Sequence, residues 1–209
     1  MKIKSAEFLI SASNKTGFVN LPLKEFAFVG RSNCGKSSLI NALTNQKKLA
    51  KTSSTPGLTK LVNYFLININ KDTVFKQSKL AEDNDCCLFV DLPGYGFSRA
   101  GKQNHELWSG LIEDYFKYSQ NLTCVFVLLD SRHAPSELDK QMIKYLYAVN
   151  IPFKIIATKT DKISKNELKN NLKIIANNLK ITENNIIAVS SEKRINLNLI
   201  LDFLDNYLN

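Results

Sequence analysis

The chain has 209 residues, of which 44% are hydrophobic, and these values are typical of a single globular domain, here residues 1–209, with a sizeable core. It lacks both a run of about 18 apolar residues and an apolar signal segment, so we expect a cytoplasmic protein without membrane contact. Its four cysteines show no disulfide or metal-ligand spacing, and we expect reduced thiols and a monomer. The net charge of +9 favours a polyanionic partner such as RNA. The alternative is that the charge forms only a solvated cationic surface.

The first strong pattern is a strand, a glycine-containing loop and a helix in direct succession. Residues 1–25 are predicted to be an N-terminal extension with a possible strand at 8–10, after which 26–29 form a buried strand and 36–46 a helix. The loop between them fills every fixed position of G-x-x-x-x-G-K-S/T. Its backbone N–H groups and the helix N-terminus would point at one concavity, which predicts a phosphate-binding loop.

This phosphate loop supplies nine candidate nucleotide contacts. They are Gly30, Arg31, Ser32, Asn33, Cys34, Gly35, Lys36, Ser37 and Ser38. Lys36 is expected to reach the outer phosphates as a catalytic residue, and the Ser37 hydroxyl to bind Mg²⁺.

A segment punctuated by proline and glycine precedes the next strand pattern at 61–68. Such a segment predicts a mobile loop whose hydroxyl could close on Mg²⁺ when a γ-phosphate is present. Thr59 is our choice for this catalytic ligand and Thr55 the competitor, and a turn without metal contact is the alternative. The candidate nucleotide contacts here are Gly57, Leu58, Thr59 and Lys60.

Residues 68–85 are polar and charged and predict a surface insertion before the strand 86–91. Asp91 ends that strand, where it could hold a metal-bound water, and the Gly94 N–H could meet the γ-phosphate as a catalytic group. The candidate contacts in this loop are Asp91, Leu92, Pro93 and Gly94. Because Tyr95 follows where Ras-type enzymes carry a water-orienting glutamine, we expect slow hydrolysis.

The base-recognition candidates follow the predicted strand 152–158. They are Thr158, Lys159, Thr160 and Asp161. The Asp161 carboxylate can accept two parallel hydrogen bonds from guanine N1–H and its exocyclic amine, a donor pair that adenine lacks. Lys159 would lie along the base and brace the loop. Taken alone, this tetrad would be a polar loop with Asp161 as a helix cap, and Thr158 stands where GTPases usually carry asparagine.

A small-residue loop after the last strand, 185–189, completes the set. The backbone of Val189, Ser190 and Ser191 is expected to support the guanine O6. Helices are predicted at 104–118, 136–149, 164–178 and 194–207, and a further strand at 123–130. Since helices separate all but the second and third strands, we predict an α/β fold of the P-loop NTPase, Ras-like type. Its six-stranded sheet is mainly parallel, with one antiparallel edge strand, helices on both faces and every motif loop at the carboxyl ends of the strands.

The motifs around Pro56, Asp91 and Thr158 together resemble those of the EngB family of small bacterial GTPases, also called YihA or YsxC, over roughly residues 5–207. The resemblance implies a GTP- and Mg²⁺-dependent factor in assembly of the large ribosomal subunit, needed for cell division and septation. It also places Asn33 where related GTPases hold K⁺ beside the phosphates, although Asn33 could equally only brace the loop. The family usually has glutamine at the position of Lys60.

Two other functions remain open on the sequence alone. The chain could be a GTP-gated binding module of the division machinery in which hydrolysis is incidental. An ATP-using P-loop kinase is the less favoured option, because the tetrad ending in Asp161 would then have no role.

Overall fold

The computed structural model describes residues 1–51, 61–69, 86–96 and 110–208, and all structural statements below refer to these ranges. The strands are β1 (Ser5–Ala12), β2 (Glu25–Gly30), β3 (Val62–Asn68), β4 (Cys86–Asp91), β5 (Leu122–Asp130), β6 (Phe153–Thr158) and β7 (Ile186–Ala188). The helices are α1 (Lys36–Leu43), α2 (Gly110–Tyr118), α3 (Glu137–Ala148), α4 (Lys165–Leu179) and α5 (Leu197–Leu208).

The strands form one mainly parallel sheet in the order β1-β3-β4-β2-β5-β6-β7. Strands β4, β2, β5, β6 and β7 are mutually parallel, whereas β3 runs antiparallel to both of its neighbours. All six residues of β2 are buried, as expected for a parallel strand covered on both faces. The predicted α/β class, with a mainly parallel sheet, is confirmed.

The sheet has seven strands rather than the predicted six, and β3 is an internal strand rather than an antiparallel edge. The extra strand is β1, which pairs antiparallel with β3 from Ser5 opposite Asn68 to Ala12 opposite Val62. The possible strand at 8–10 was therefore only the centre of a longer one. Its ends are defined by hydrogen bonds to β3, which the local sequence does not reveal.

Helices cover both faces of the sheet and bury two apolar clusters. One cluster joins the sheet to α2, α3 and α4 through residues such as Tyr115, Met142 and Ile175. The other joins it to α1 and α5 through residues such as Leu39 and Ile200. Within the described ranges, none of these helices has the length and apolar character that a membrane crossing requires.

A buried carboxylate lies at the start of β2. Glu25 accepts hydrogen bonds at Oε2 from the Tyr115 hydroxyl (2.6 Å) and the Ser119 hydroxyl (2.8 Å). Its Oε1 is buried without a hydrogen-bond partner among the described atoms. Burial raises the pKa of this carboxyl above its ordinary value, and the two hydrogen bonds offset that effect only in part.

Glu25→Gln should therefore stabilise the protein at pH 8, measured as a higher melting temperature. A carboxyl whose pKa is raised by folding stabilises most below its unfolded pKa, near 4.5, and this contribution is lost as the pH rises through the folded pKa. The advantage of the variant should shrink as the pH falls toward 4.5. Glu7→Gln, at an exposed position of β1, should show no such dependence. A Glu25 variant less stable at every pH would contradict this account.

Candidate functional site

The phosphate loop is shaped by three backbone positions between β2 and α1. A Cβ added to Gly30 would lie 2.7 Å from the Leu128 carbonyl oxygen and 2.6 Å from the Cys34 sulfur, so the loop approaches β5 too closely for a side chain. Asn33 and Gly35 have positive φ angles of 65° and 102°. These turns bring the loop to the N-terminus of α1, which begins at Lys36, as the predicted phosphate cradle requires.

Lys36 and Asp91, two of the predicted site residues, are in direct contact. The Lys36 Nζ lies 2.5 Å from Asp91 Oδ1, and the two side chains are 9% and 4% exposed. This ion pair joins the start of α1 to the end of β4. It places a cation and a carboxylate at the carboxyl edge of the sheet, where phosphates and a divalent ion would meet.

The residues present fit a Mg²⁺ ion whose coordination is completed by the phosphates of a bound substrate. Ser37 is half-buried and directly follows Lys36, whose ammonium pairs with Asp91, so a hydroxyl and a carboxylate both belong to this edge of the sheet. In the described part of the chain, no group of three or more histidine, cysteine or acidic residues could form a metal cage. Mg²⁺ commonly binds through one or two protein oxygens together with substrate phosphates, which agrees with this donor set.

Backbone hydrogen bonds join the loop after β4 to the phosphate loop. The Tyr95 N–H donates to the Gly30 carbonyl (3.2 Å), and the Ser32 N–H donates to the Tyr95 carbonyl (3.3 Å). A Cβ added to Gly94 would lie 3.1 Å from the Ser32 hydroxyl oxygen. Gly94 therefore lies against the loop predicted to bind phosphates. The Leu92 side chain is buried in the core, so only its backbone is available to a ligand.

Tyr95 points away from the phosphate loop and into the core. Its hydroxyl donates to Asp139 Oδ1 at 2.7 Å, and Asp139 Oδ2 accepts from the backbone and hydroxyl of Ser136 at the start of α3. Burial and the neighbouring Asp139 carboxylate raise the pKa of Tyr95 well above its ordinary value. The Tyr95 side chain thus anchors the loop on α3, and it is not placed to orient a water.

Tyr95→Phe should weaken binding of a GTP analogue about three- to tenfold more than binding of GDP. Removing the hydroxyl leaves the buried Asp139 oxygen unpaired at a cost of about 1–3 kcal/mol, and it loosens the loop that carries Gly94. Only GTP has the phosphate that Gly94 is expected to meet. Fluorescent nucleotide titrations measure both affinities, and Tyr147→Phe, at an exposed tyrosine, is the control. Equal losses for both nucleotides would speak against this role of the loop.

The predicted base loop is fastened to the phosphate loop by two side chains. The Thr158 hydroxyl lies 2.6 Å from the Cys34 carbonyl and 3.0 Å from the Leu129 carbonyl, and it can donate its single proton to either. The Lys159 ammonium donates to the Asn33 carbonyl at 2.7 Å. Threonine at the usual asparagine position therefore still bridges to the phosphate loop, and Lys159 braces it.

Asp130 and Arg132 hold Lys159 in place and were not among the predicted site residues. Asp130 Oδ2 lies 2.9 Å from the Lys159 ammonium, and the carboxylate also accepts from the backbone and guanidinium of Arg132. Burial raises the pKa of Asp130, but the hydrogen bonds from Arg132 and Lys159 outweigh it and keep that pKa well below its usual range. The sequence signal was the position of Asp130 at the end of the predicted strand 123–130.

Asp161 is oriented by the last predicted loop. Its Oδ1 accepts from the Ser190 hydroxyl at 2.5 Å, and its Oδ2 forms an ion pair with the Lys162 ammonium at 3.2 Å. The Ser190 hydrogen bond is the main cause of a lowered pKa of Asp161. The sequence predicted only a backbone role for Ser190, and its side chain additionally positions the base-recognition carboxylate.

The two loops of the base site are also joined through their backbones. The Thr160 N–H donates to the Val189 carbonyl (3.3 Å), and Ser190 and Ile195 exchange two backbone hydrogen bonds. Ser191 follows this closed turn. Beside the phosphate loop, a cavity of about 230 Å³ extends toward Arg132 and His133. The remaining predicted contacts, Gly57, Leu58, Thr59 and Lys60 with the alternative Thr55, lie outside the described residues.

Comparison with known proteins gives matches along most of the chain. Residues 25–159 match the family described as 50S ribosome-binding GTPase. The probable GTP-binding protein EngB of Clostridium kluyveri is 48% identical over 175 residues, which cover 84% of this chain and 81% of that protein. The protein of the same name from Porphyromonas gingivalis is 40% identical over 209 residues, covering 99% of this chain and 96% of that protein.

Solved structures share the fold at lower sequence identity. A variant of Aquifex aeolicus Era bound to GDP and aluminium fluoride has a TM-score of 0.68 and 22% identity, over 90% of this chain and 57% of that one. A probable GTP-binding protein EngB has a TM-score of 0.59 and 20% identity, over 88% of this chain and 98% of that one. Era in complex with MgGDPNP and a segment of 16S ribosomal RNA has a TM-score of 0.62 and 22% identity, over 89% of this chain and 57% of that one.

Proposed function

Since the chain belongs to the EngB family of GTP-hydrolysing proteins, we propose that it is a GTP-dependent switch in assembly of the large ribosomal subunit, needed for normal cell division and septation. The GTP-bound form docks on a precursor of the subunit, and slow hydrolysis to GDP releases it. The protein acts as a cytoplasmic monomer with a single domain. The description of its family as ribosome-binding and its net charge of +9 support this proposal.

The observation that best supports the guanine-specific part of this proposal is the fastening of two loops to each other. Thr158 and Lys159 contact the carbonyls of Cys34 and Asn33, so the base loop and the phosphate loop are held at one edge of the sheet. Ser190 donates to Oδ1 of Asp161 and the Lys162 ammonium lies 3.2 Å from Oδ2, so the carboxylate would use its remaining lone pairs to accept both donors of a guanine. An adenine nucleotide would offer that carboxylate no such donor pair.

The geometry of the described residues supports the roles proposed here for hydrolysis, and the role of Thr59 rests on the sequence alone. Lys36 exchanges the Asp91 carboxylate for the outer phosphates, and the Gly94 N–H contacts the γ-phosphate. Ser37 and Thr59 would hold Mg²⁺ directly and Asp91 would hold it through water, and the bound ion would neutralise charge that develops between the phosphates. Tyr95 is turned toward Asp139, so no side chain from this position activates the attacking water and turnover is slow.

We further propose that K⁺ stimulates hydrolysis through Asn33. The Asn33 side chain is exposed on the phosphate loop, and its backbone carbonyl accepts from Lys159, so the side-chain amide oxygen is available as a ligand. A bound K⁺ would supply positive charge that other GTPases obtain from an arginine. Turnover in KCl should exceed turnover in NaCl at equal ionic strength. Equal rates, with and without large subunits, would refute this role.

Two measurements test the proposed function. In titrations with Mg²⁺, labelled GTP and GDP should bind at least about 100-fold more tightly than ATP, because adenine offers no donor pair to Asp161. In co-sedimentation with 50S particles, a non-hydrolysable GTP analogue should promote binding relative to GDP, and added salt should weaken it. Equal affinity for GTP and ATP would refute the guanine site, and 50S binding indifferent to nucleotide would refute the switch.

A further inference from the structure

An open groove lies between the edge strand β1 and the loop that follows α1. We call it the β1 groove, and its lining consists of Ala6, Glu7, Phe8, Gln46, Lys47, Lys48 and Leu49. Its two sides come from β1 and from the loop after α1, and none of its lining residues belongs to the phosphate loop or the base loops.

One of the lining residues of this groove carries an exposed aromatic ring. Phe8 is 53% exposed, although it lies on a strand with a buried core face. Its ring packs edge-on against Phe65, with the centroids 6.0 Å apart and the planes at 67°, so its orientation is fixed while much of its surface meets solvent. A large and rigid apolar surface of this kind is a ready platform for another flat group.

Two lysines line the same groove on a loop that is held in place. Lys47 and Lys48 are exposed, and neither forms an ion pair with another described residue. Asn41 clamps the loop by accepting from the Ala50 N–H (2.7 Å) and donating to the Ala50 carbonyl (2.9 Å). The two ammonium groups are therefore presented from a preordered loop next to Phe8. The one acidic lining residue, Glu7, adjoins Phe8 on β1 and so has its side chain on the opposite face of the sheet.

The edge of β1 is poorly suited to a protein strand. The β1–β3 register shifts between Phe8 and Ile10, and such a bulge at an edge opposes pairing with a further strand. The Ala6 carbonyl already accepts from the Gln46 side-chain amide at 2.5 Å. What the groove does offer is an aromatic platform beside free cations, the combination that binds single-stranded nucleic acid.

We propose that the β1 groove binds single-stranded RNA, with one base stacked on Phe8 and the adjacent phosphates paired with Lys47 and Lys48. The choice of RNA as the natural ligand rests on the proposed function, and the rest of the inference does not. The net charge of +9 supplies the long-range attraction for a polyanion, and the platform supplies the local preference for unpaired bases.

The test is fluorescence anisotropy with a labelled oligouridine of about 12 nucleotides and the GDP-bound protein, as a function of salt. The double variant Lys47→Glu/Lys48→Glu should lower the affinity at least about tenfold and reduce the salt slope by about one to two. Phe8→Ala should lower it about 5- to 100-fold with little change in slope, because stacking involves no counterion release. Phe8→Leu, which keeps an apolar contact with Phe65, should lose affinity as well.

Matched controls separate the groove from general charge attraction. Lys165→Glu/Lys169→Glu makes the same charge change on the exposed face of α4 and should cost less than about threefold. A labelled duplex RNA of equal length should bind more weakly than the single strand. Equal losses in both double variants, no effect of Phe8→Ala, or equal binding of duplex and single strand would each overturn the inference.

GDP titration of the same variants keeps this inference distinct from the proposed function. Each variant should bind GDP as the natural chain does, which also shows that it is folded. If the natural chain bound no single-stranded RNA but kept normal guanine specificity, only the groove inference would be overturned. Equal affinity for GTP and ATP would instead refute the proposed function and leave the RNA result standing.

Discussion

Replacing Lys36 with methionine is expected to reduce GTP and GDP affinity at least about 100-fold and to lower the free energy of unfolding by about 3–5 kcal/mol. The affinity falls because the cation that reaches the outer phosphates is removed. The stability falls because the Lys36 Nζ lies 2.5 Å from Asp91 Oδ1 and the Asp91 side chain is only 4% exposed. The variant leaves that carboxylate charged and buried without its partner. Urea unfolding and nucleotide titration measure the two effects.

A double variant separates the two effects of this substitution. Lys36→Met/Asp91→Asn removes the stranded charge, so it should regain most of the lost stability but none of the lost affinity. Lys140→Met is the matched control, since Lys140 pairs with Glu137 on the surface and its loss should change stability by less than about 1 kcal/mol. If the double variant were no more stable than Lys36→Met, the ion pair would not explain the loss.

Most of the fold was predictable because the strands that carry it are buried on both faces. The apolar runs at 26–29, 86–91 and 123–130 mark β2, β4 and β5 directly. β1 was predicted only at 8–10, because half of its residues are exposed and its apolar pattern is short. Its eight residues become a strand by pairing with β3, a partner about 55 residues away that no local pattern identifies.

The candidate site was predictable where a motif supplies the chemistry, and not where side chains meet across the fold. The phosphate loop and the tetrad ending in Asp161 have fixed spacings, and these spacings predict phosphate binding and guanine recognition. The contact of Tyr95 with Asp139 spans 44 residues, and that of Lys159 with Asp130 joins the ends of two neighbouring strands. Such partners depend on sheet order, so they became visible only when β5 and β6 were placed side by side.

The substitution Asp161→Asn should shift the preferred nucleotide from guanine to xanthine. The carboxylate can accept from both guanine N1–H and the exocyclic amine, and an amide presents a donor where one of these acceptors stood. Loss of two charge-assisted hydrogen bonds should lower GTP affinity about 100-fold or more. Xanthine carries a carbonyl in place of the amine, so the new amide N–H gains an acceptor and XTP affinity should rise. Competition titrations with GTP, XTP and ATP measure the change.

Ser190→Ala distinguishes loss of orientation from loss of the acceptor. The Ser190 hydroxyl donates to Asp161 Oδ1 at 2.5 Å, so its removal frees the carboxylate to rotate while leaving its charge and both oxygens. GTP affinity should then fall only about tenfold, and XTP should gain nothing, because no new donor has been introduced. A drop equal to that of Asp161→Asn would mean that Ser190 itself contacts the base. Unchanged GTP affinity in Asp161→Asn would instead place guanine recognition elsewhere on the protein.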